Sequence, residues 1–204
     1  MSTLLAVARN PGVRPPAVKD SVGAIFTWQL CSGSGDTRNR IFRQISTALA
    51  GEHASEIVRL FVEHSDRSQV ALITPEVIAA ICRIYQPLEA FSQLNHVVQK
   101  FPTLTIADDC VKALITRHFE EAIEFLLCVN ELSLRILLND QQVQAAFVRT
   151  IEDCRRESAL VITLAKRVVQ SGCCQKTPEF IEAVGCCDSI SAACRGEILS
   201  LCRP

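Results

Sequence analysis

Helix starts that recur along the chain constrain its fold more than any other feature of the sequence. Thr74-Pro75-Glu76 and Thr177-Pro178-Glu179 each place a threonine before a proline and an acidic residue. A threonine hydroxyl accepts a hydrogen bond from a free amide at a helix N-terminus, and a proline at the first helical position loses no hydrogen bond there. Asp108-Asp109 and Asn139-Asp140 occupy the equivalent places between them. These four starts predict four helices of the same type.

Apolar and small residues follow each start at regular intervals. The predicted buried positions are Ile78, Val111, Val143 and Ile181, at intervals of 33, 32 and 38 residues. An alanine follows two residues after each of them, at Ala80, Ala113, Ala145 and Ala183. A small side chain at one place in every unit indicates that helices approach each other closely there.

Each of these helices is preceded by a stretch that has its own apolar face. The stretches cover residues 57–62, 91–98, 123–127 and 161–169. A helix pair that recurs every 32 to 38 residues is typical of a solenoid, in which each unit buries its apolar face only by stacking on a neighbour. We therefore predict an all-α fold of stacked helix pairs, with a compact helical bundle as the alternative.

The same pattern divides the 204 residues of the chain. Residues 1–19 contain three prolines, three basic residues and no acidic residue, so we expect residues 1–20 to form a flexible arm. A transit peptide is the alternative, but transit peptides tend to be longer amphipathic segments without such a proline cluster. The leaderless export signal of an effector would have a similar composition. We expect two helices in residues 21–50, four helix-pair repeats in residues 51–187 and a cysteine-rich capping helix in residues 188–204.

The repeated stretch resembles a known family of helix-pair repeats. Residues Thr74-Pro75-Glu76-Val77-Ile78-Ala79-Ala80 resemble the Thr-Pro-Leu-His-x-Ala opening of ankyrin repeats, with Glu76 and Val77 in place of the Leu-His pair. Residues 104–111 are similar to the same motif. The resemblance covers residues 54–187 and is closest to the degenerate repeats of large fungal repeat proteins. It implies a scaffold that binds other proteins, and it implies no catalytic residue.

Charge and composition narrow the classes of partner. The chain has 21 basic and 22 acidic residues and a formal net charge of -1, which does not fit the broad basic surface of a nucleic-acid-binding protein. Its eight glycines form no phosphate-binding loop, and no apolar run reaches the roughly 18 residues of a membrane span. We therefore predict a cytoplasmic protein, or a leaderless exported effector, that binds a protein partner, with self-association as a further possibility.

The 11 cysteines are the least ordinary part of the composition. Five scattered ones are predicted to be small buried hydrophobic residues: Cys31, Cys82, Cys110, Cys128 and Cys154. Six crowd the C-terminal region: Cys173, Cys174, Cys186, Cys187, Cys194 and Cys202. Adjacent side chains on a helix point about 100° apart, so a pair of neighbouring cysteines is poorly placed to ligate one metal ion.

The positions of the histidines in the sequence do not favour their acting as the base for a cysteine nucleophile. His53, His64, His96 and His118 all lie far from the C-terminal cysteines in the sequence, and a cysteine nucleophile needs a nearby base. We therefore predict no catalytic, cofactor-binding or metal-binding residue and a non-catalytic interaction scaffold. A thiol-dependent enzyme, or a redox or metal sensor that uses the C-terminal cysteines, is the first alternative. A compact helical effector or a self-associating structural module is the second.

Overall fold

A computed structural model of the chain describes residues 73–153, 159–172 and 177–202, together with Asp36, Arg59 and Val62. Every regular element within these residues is an α-helix, which confirms the predicted all-α fold. The chain divides into two compact units, Met1–Phe101 and Pro102–Pro204. The predicted arm and the predicted helices of residues 21–50 lie outside the described residues, apart from the helical Asp36.

The described part of the first unit contains two packed helices, α1 (Pro75–Cys82) and α2 (Pro87–Lys100). Their apolar faces are buried, as at Ile81 of α1 and Leu94 of α2, which are both fully inaccessible to solvent. The last residue of α2, Lys100, donates a hydrogen bond from Nζ to the backbone oxygen of Val62 at 2.5 Å. This bond connects α2 to a segment 38 residues earlier in the chain.

The second unit has two rows of helices. The helices are α3 (Asp109–Arg117), α4 (Phe119–Cys128), α5 (Glu131–Leu138), α6 (Gln141–Glu152), α7 (Ala159–Gln170), α8 (Pro178–Cys186) and α9 (Ala192–Leu201). In the first row α6 packs against both α3 and α8, and in the second row α7 packs against both α4 and α9. Contacts between α3 and α4 and between α8 and α9 join the rows. The assignment of these rows to a solenoid of repeats stays a prediction.

The four predicted helix starts are confirmed, at α1, α3, α6 and α8. The Thr177 hydroxyl accepts a hydrogen bond from the backbone N–H of Phe180 at 3.3 Å. The Asp140 carboxylate accepts from the backbone N–H groups of Gln142 and Val143 at 2.9 and 3.2 Å. The expected capping bond is absent at α3, where the Asp108 side chain makes no capping bond. It is also absent at α1, where the buried Thr74 hydroxyl oxygen has no hydrogen-bond partner among the described residues. Sequence therefore located the starts, while the capping bond itself depends on the side-chain rotamer.

The buried register of these helices differs from the predicted one at α8. Ile78, Val111 and Val143 are buried as predicted, but Ile181 is 37% exposed, so its predicted burial is wrong. Counted from the first helical residue, the third position is buried in all four helices: Val77, Val111, Val143 and Phe180. The seventh position is buried in all four as well: Ile81, Ile115, Phe147 and Val184. Because α8 begins at Pro178, its core position is Phe180, and Ile181 lies one residue beyond it.

The predicted role of the alanines is also partly wrong. Ala80 and Ala183 are buried, whereas Ala113 and Ala145 are exposed. The last two occupy the fifth helical position, which lies opposite the buried third and seventh positions at 3.6 residues per turn. The buried small residue belongs to the sixth position, which is Ala146 in α6. Ala145 therefore faces outward instead of mediating helix contact.

Helix α5 was not predicted, and local hydrogen bonds explain it. The Asn130 side chain accepts from the backbone N–H of Ser133 at 2.8 Å, which caps the helix. The same side chain donates to the backbone oxygen of Leu104 at 2.7 Å. The fully buried Ser133 hydroxyl accepts from the backbone N–H of Ile106 at 2.9 Å. These bonds fix the short helix to the extended segment that precedes α3.

Two arginines bind backbone carbonyls at helix C-termini. Arg167 of α7 donates to the oxygen of Leu126 at 2.7 Å and also to that of Val129, at the end of α4. Arg195 of α9 donates to three carbonyl oxygens around the turn between α8 and α9: Gly185 at 3.0 Å, Cys187 at 2.8 Å and Ile190 at 3.2 Å. Such charged donors satisfy carbonyls that have no partner within their own helix and complement the negative end of its dipole.

Candidate protein-binding surface

The first row of helices carries an open cleft of about 350 Å³ between α6 and the first turn of α8. Ala145 and Val148 of α6 contribute its apolar part. The remaining lining residues are polar or charged: Gln141, Gln144, Arg149, Thr177 and Glu179. A small apolar surface with polar groups around it is the usual composition of a recognition site.

The cleft exists because α6 turns a small residue outward. Ala145 is the fifth residue of α6, opposite the buried Val143 and Phe147, and its methyl group leaves space that a longer side chain would fill. The sequence contained this signal, since an alanine on the polar side of an amphipathic helix leaves a depression. The regular spacing of the alanines instead predicted that Ala145 lies at a helix–helix contact.

Hydrogen bonds at the N-termini of α6 and α8 hold the two walls of the cleft in place. The Asp140 cap fixes the first turn of α6, and the Thr177 cap fixes the first turn of α8. Gln144 donates from Nε2 to the backbone oxygen of Leu138 at 2.6 Å. The Gln144 amide is therefore oriented before any partner binds, which lowers the entropy cost of binding.

A row of phenylalanine rings lies beneath this surface. The ring of Phe147 in α6 stacks on that of Phe119 with centroids 5.3 Å apart and an interplanar angle of 18°. On its other side the Phe180 ring of α8 lies 5.7 Å away at an angle of 37°. All three rings are at most 5% exposed. These contacts set the separation of α6 and α8 and so the width of the cleft.

The two charged residues of the cleft have opposite signs. Both Arg149 and Glu179 are exposed. Arg149 donates from Nε to the backbone oxygen of Ala145 at 3.2 Å, so its side chain runs back along α6. A cation and an anion at the edge of one cleft orient a charged partner, although each exposed pair contributes little to affinity.

Clear pKa shifts in the described residues occur at two lysines outside this cleft. A hydrogen bond to Asp109 at 2.9 Å raises the pKa of Lys112, and the charges of Asp109, Asp140 and Asp108 add to the effect. A hydrogen bond to Glu197 at 2.6 Å raises the pKa of Lys166. Ion pairs account for both shifts, so neither lysine is poised to act as a base near neutral pH.

The described lining residues of the cleft lack the groups that covalent or acid–base catalysis needs. Among them there is one carboxylate and neither a cysteine nor a histidine. The one hydroxyl in this described lining, that of Thr177, already accepts the capping hydrogen bond. A nucleophile needs an adjacent base to be activated, so the arrangement is suited to binding.

The burial of the described cysteines differs in part from the predicted burial. Among the scattered ones, Cys128 is exposed and Cys82 and Cys110 are half-buried, so the predicted burial of Cys128 is wrong. It is the last residue of α4 and lies on the solvent side of that helix. In the C-terminal group, Cys187 and Cys202 are buried, Cys194 is half-buried and Cys186 is exposed. The predicted positions Cys31, Cys154, Cys173 and Cys174 lie outside the described residues.

No group of three or more His, Cys, Asp or Glu side chains placed to hold a metal ion occurs within the described residues. His118 connects α3 to α4, and its backbone N–H bonds to the oxygen of Leu114 at 3.1 Å. The Nε2 atom of His96 is buried in the first unit and has no hydrogen-bond partner in the described part of the chain. His53 and His64 lie outside that part.

Within the described ranges, no helix combines the length and the apolar character that crossing a membrane requires. Comparisons with protein-family models, with curated proteins and with solved structures find no match to this chain. The resemblance to ankyrin repeats therefore stays a prediction that rests on the residues alone.

Proposed function

We propose that this protein is a non-catalytic scaffold that binds a partner protein at the cleft between α6 and α8. The observation that carries the proposal is the cleft itself, whose described residues provide an apolar floor and a preoriented amide. The resemblance to ankyrin repeats supports the same function, because such repeats bind proteins on the surface of their stacked helices.

The shape of the cleft favours a protein over a small molecule. Its volume of about 350 Å³ lies at the lower end of the roughly 300–1,000 Å³ of small-molecule pockets. A small ligand also gains affinity by burying most of its surface, and an open cleft does not enclose it. A protein segment places one or two apolar side chains in the cleft and makes further contacts on the neighbouring helices.

The charges of the cleft favour a protein over a nucleic acid. Arg149 is the one cation among the described lining residues, and Glu179 contributes a negative charge from α8. Nucleic acids need several basic groups along the phosphate backbone, so a polar, nearly neutral protein surface is the better fit. Recognition then depends on shape and on hydrogen bonds to Gln141 and Gln144 at the rim.

Two substitutions at equivalent positions test the site. The immobilised chain captures its partner from an extract of the source cells, and the purified partner is titrated against variants by calorimetry. Ala145→Arg fills the cleft and is expected to raise Kd at least about tenfold. Ala113→Arg makes the same change at the exposed fifth position of α3 and is expected to leave Kd within a factor of about two.

Two outcomes would contradict the proposal. One is an equal Kd for the wild-type chain, Ala145→Arg and Ala113→Arg. The other is a partner whose binding is insensitive to both variants and is lost on Cys186→Ser, because that result would favour a thiol-dependent function. Circular dichroism on each variant establishes that the helices are retained.

A further inference from the structure

The first-row helices share a flank that faces the next helix in the row. The fourth and eighth helical residues form this flank, and they are half-buried in α3 and α6. Lys112, the fourth residue of α3, lies close enough to Asp140 at the start of α6 to feel its charge. Gln144 and Val148, the fourth and eighth residues of α6, line the cleft toward the first turn of α8.

In the described part of the chain, no helix covers the same flank of α8. Its fourth and eighth residues are Ile181, which is 37% exposed, and the half-buried Gly185. A Cβ atom added at Gly185 would meet nothing within 4 Å apart from its chain neighbours and the backbone of its own helix. No other helix in the described ranges packs closely on α8 besides α6 and α9. The apolar residue that was expected to be buried is therefore the one at the uncovered end of the row.

The neighbouring surface of α9 has the same character. Ala192, Gly196 and Ser200 recur every four residues and are exposed, and a Cβ atom added at Gly196 would also meet nothing within 4 Å. A glycine inside a helix is less stable than an alanine, and no contact among the described residues explains Gly196. Such residues permit another helix to approach closely.

The two charged residues of α9 are already engaged within the chain. Arg195 binds the carbonyl oxygens of the turn between α8 and α9, and Glu197 accepts a hydrogen bond from Lys166 at 2.6 Å. In a two-fold symmetric contact each surface meets itself, so unpaired charges of one sign would repel one another. The end surface formed by α8 and α9 has Glu182 of α8 at its edge and no unpaired charge on α9.

We propose that a second copy of this chain docks on the end surface formed by α8 and α9. The two helices of one copy pack against the same two helices of the other copy about a two-fold axis. Ile181 of each copy would then be buried against the small residues of the other, which continues the side-by-side packing that α6 and α8 already use. This proposal does not depend on the cleft, because Ile181 lies on the other flank of α8.

The size of the surface predicts a weak dimer. At 1.5 Å per residue the helices are about 14 and 15 Å long, and packed helices lie about 10 Å apart. Such a surface buries on the order of 500 Å² per copy, or about 1,000 Å² in total, near the lower limit of specific interfaces. We expect a dissociation constant in the micromolar range.

Sedimentation of the full chain at about 5 to 500 µM tests the dimer. A reducing agent is present throughout, so that the exposed Cys186 forms no disulfide between copies. The wild-type mass is expected to rise from 22.5 kDa toward twice that value as the concentration increases. Ile181→Lys is expected to stay at the mass of one chain. Leu132→Lys, which changes a 57% exposed residue of α5, is the control and should dimerise like the wild type.

A second variant separates loss of association from loss of folding. Gly196→Leu should raise Tm, because leucine is favoured over glycine in a helix, and it should weaken the dimer by at least tenfold because it blocks close approach. A wild-type chain that stays at 22.5 kDa at every concentration would overturn the proposal. So would undiminished dimerisation of Ile181→Lys or Gly196→Leu, or loss of the dimer in Leu132→Lys.

Discussion

Helices α6 and α8 bury the same three positions but meet their surroundings differently. Their buried residues are Val143, Ala146 and Phe147 in α6 and Phe180, Ala183 and Val184 in α8. On the flank formed by the fourth and eighth positions, Gln144 and Val148 of α6 are half-buried, whereas Ile181 of α8 is exposed. Each helix therefore determines which of its residues face the core. Whether the residues on its flank are buried depends on the presence of a neighbouring helix.

The same difference extends to packing energy. Phe147 in α6 contacts two aromatic rings, those of Phe119 and Phe180. Phe180 in α8 contacts a single ring among the described residues, that of Phe147. Because apolar burial and ring contacts add at each neighbour, the middle of a row should contribute more stability per residue than its end.

Removing each ring in turn gives the largest test of this comparison. Phe147→Ala should lower the free energy of unfolding by about 4 kcal/mol, through lost burial, a cavity and two lost ring contacts. Phe180→Ala should cost about 1 kcal/mol less, since it loses a single ring contact. Urea titrations followed by circular dichroism give both values, and an equal or larger cost at Phe180 would contradict the comparison.

The helix starts give a test of intermediate size. Thr177→Ala removes the capping hydrogen bond of α8 and should cost about 1 kcal/mol of unfolding free energy. Thr74→Ala is the matched change at α1, where the hydroxyl makes no capping bond, and should cost close to nothing. The same urea titrations measure both, and a larger loss at Thr74 would show that its buried hydroxyl has an unrecognised role.

Sequence reasoning succeeded where the chemistry is local. The starts at Pro75 and Pro178 follow from prolines at the first helical position, and the start at Gln141 follows from the Asp140 cap, which acts within one turn. The all-α class follows from apolar spacing in the same way. Helix α5 carried an equally local signal at Asn130, but its eight residues are too few for a strong periodic pattern.

Sequence reasoning failed where burial depends on a distant neighbour. Ile181 is the fourth residue of α8, a position that is half-buried toward the next helix in α3 and α6. It is exposed because no helix of the described residues covers that flank of α8. Ala145 became the floor of a cleft because the first turn of α8 packs beside it, 32 or more residues away in the chain. Neither fact is encoded within a single helical turn.

The ion pair between Lys166 of α7 and Glu197 of α9 joins the middle of the second row to its end, and its removal gives the smallest expected effect on stability. A hydrogen bond to Glu197 raises the pKa of Lys166 above its ordinary value of 10.5. The pair therefore stabilises the folded chain fully below pH 10.5, and this stabilisation is lost as the pH rises through the raised pKa. Lys166→Met should lower Tm by at most a few degrees at pH 8. The difference from the wild type should shrink as the pH rises through the raised pKa of Lys166.

Thermal unfolding at several pH values measures this effect. Lys112→Met is the comparison, because the Lys112 hydrogen bond to Asp109 lies within α3 and only the weaker effect of the Asp140 charge reaches it from α6, so its change in Tm should be smaller. A difference at Lys166 that persists at high pH would mean that the aliphatic part of the side chain, rather than its charge, is responsible.

The three carbonyl bonds of Arg195 have a consequence for how the folded chain opens. They connect the end of α8 to the turn before α9 and to α9 itself, so neither helix can detach without breaking them. Local opening proceeds through cooperative segments, and the least covered ones open first. We therefore expect α8 and α9 to open as one cooperative segment. Their backbone amides should exchange with solvent together, while the amides of α6 stay protected from exchange.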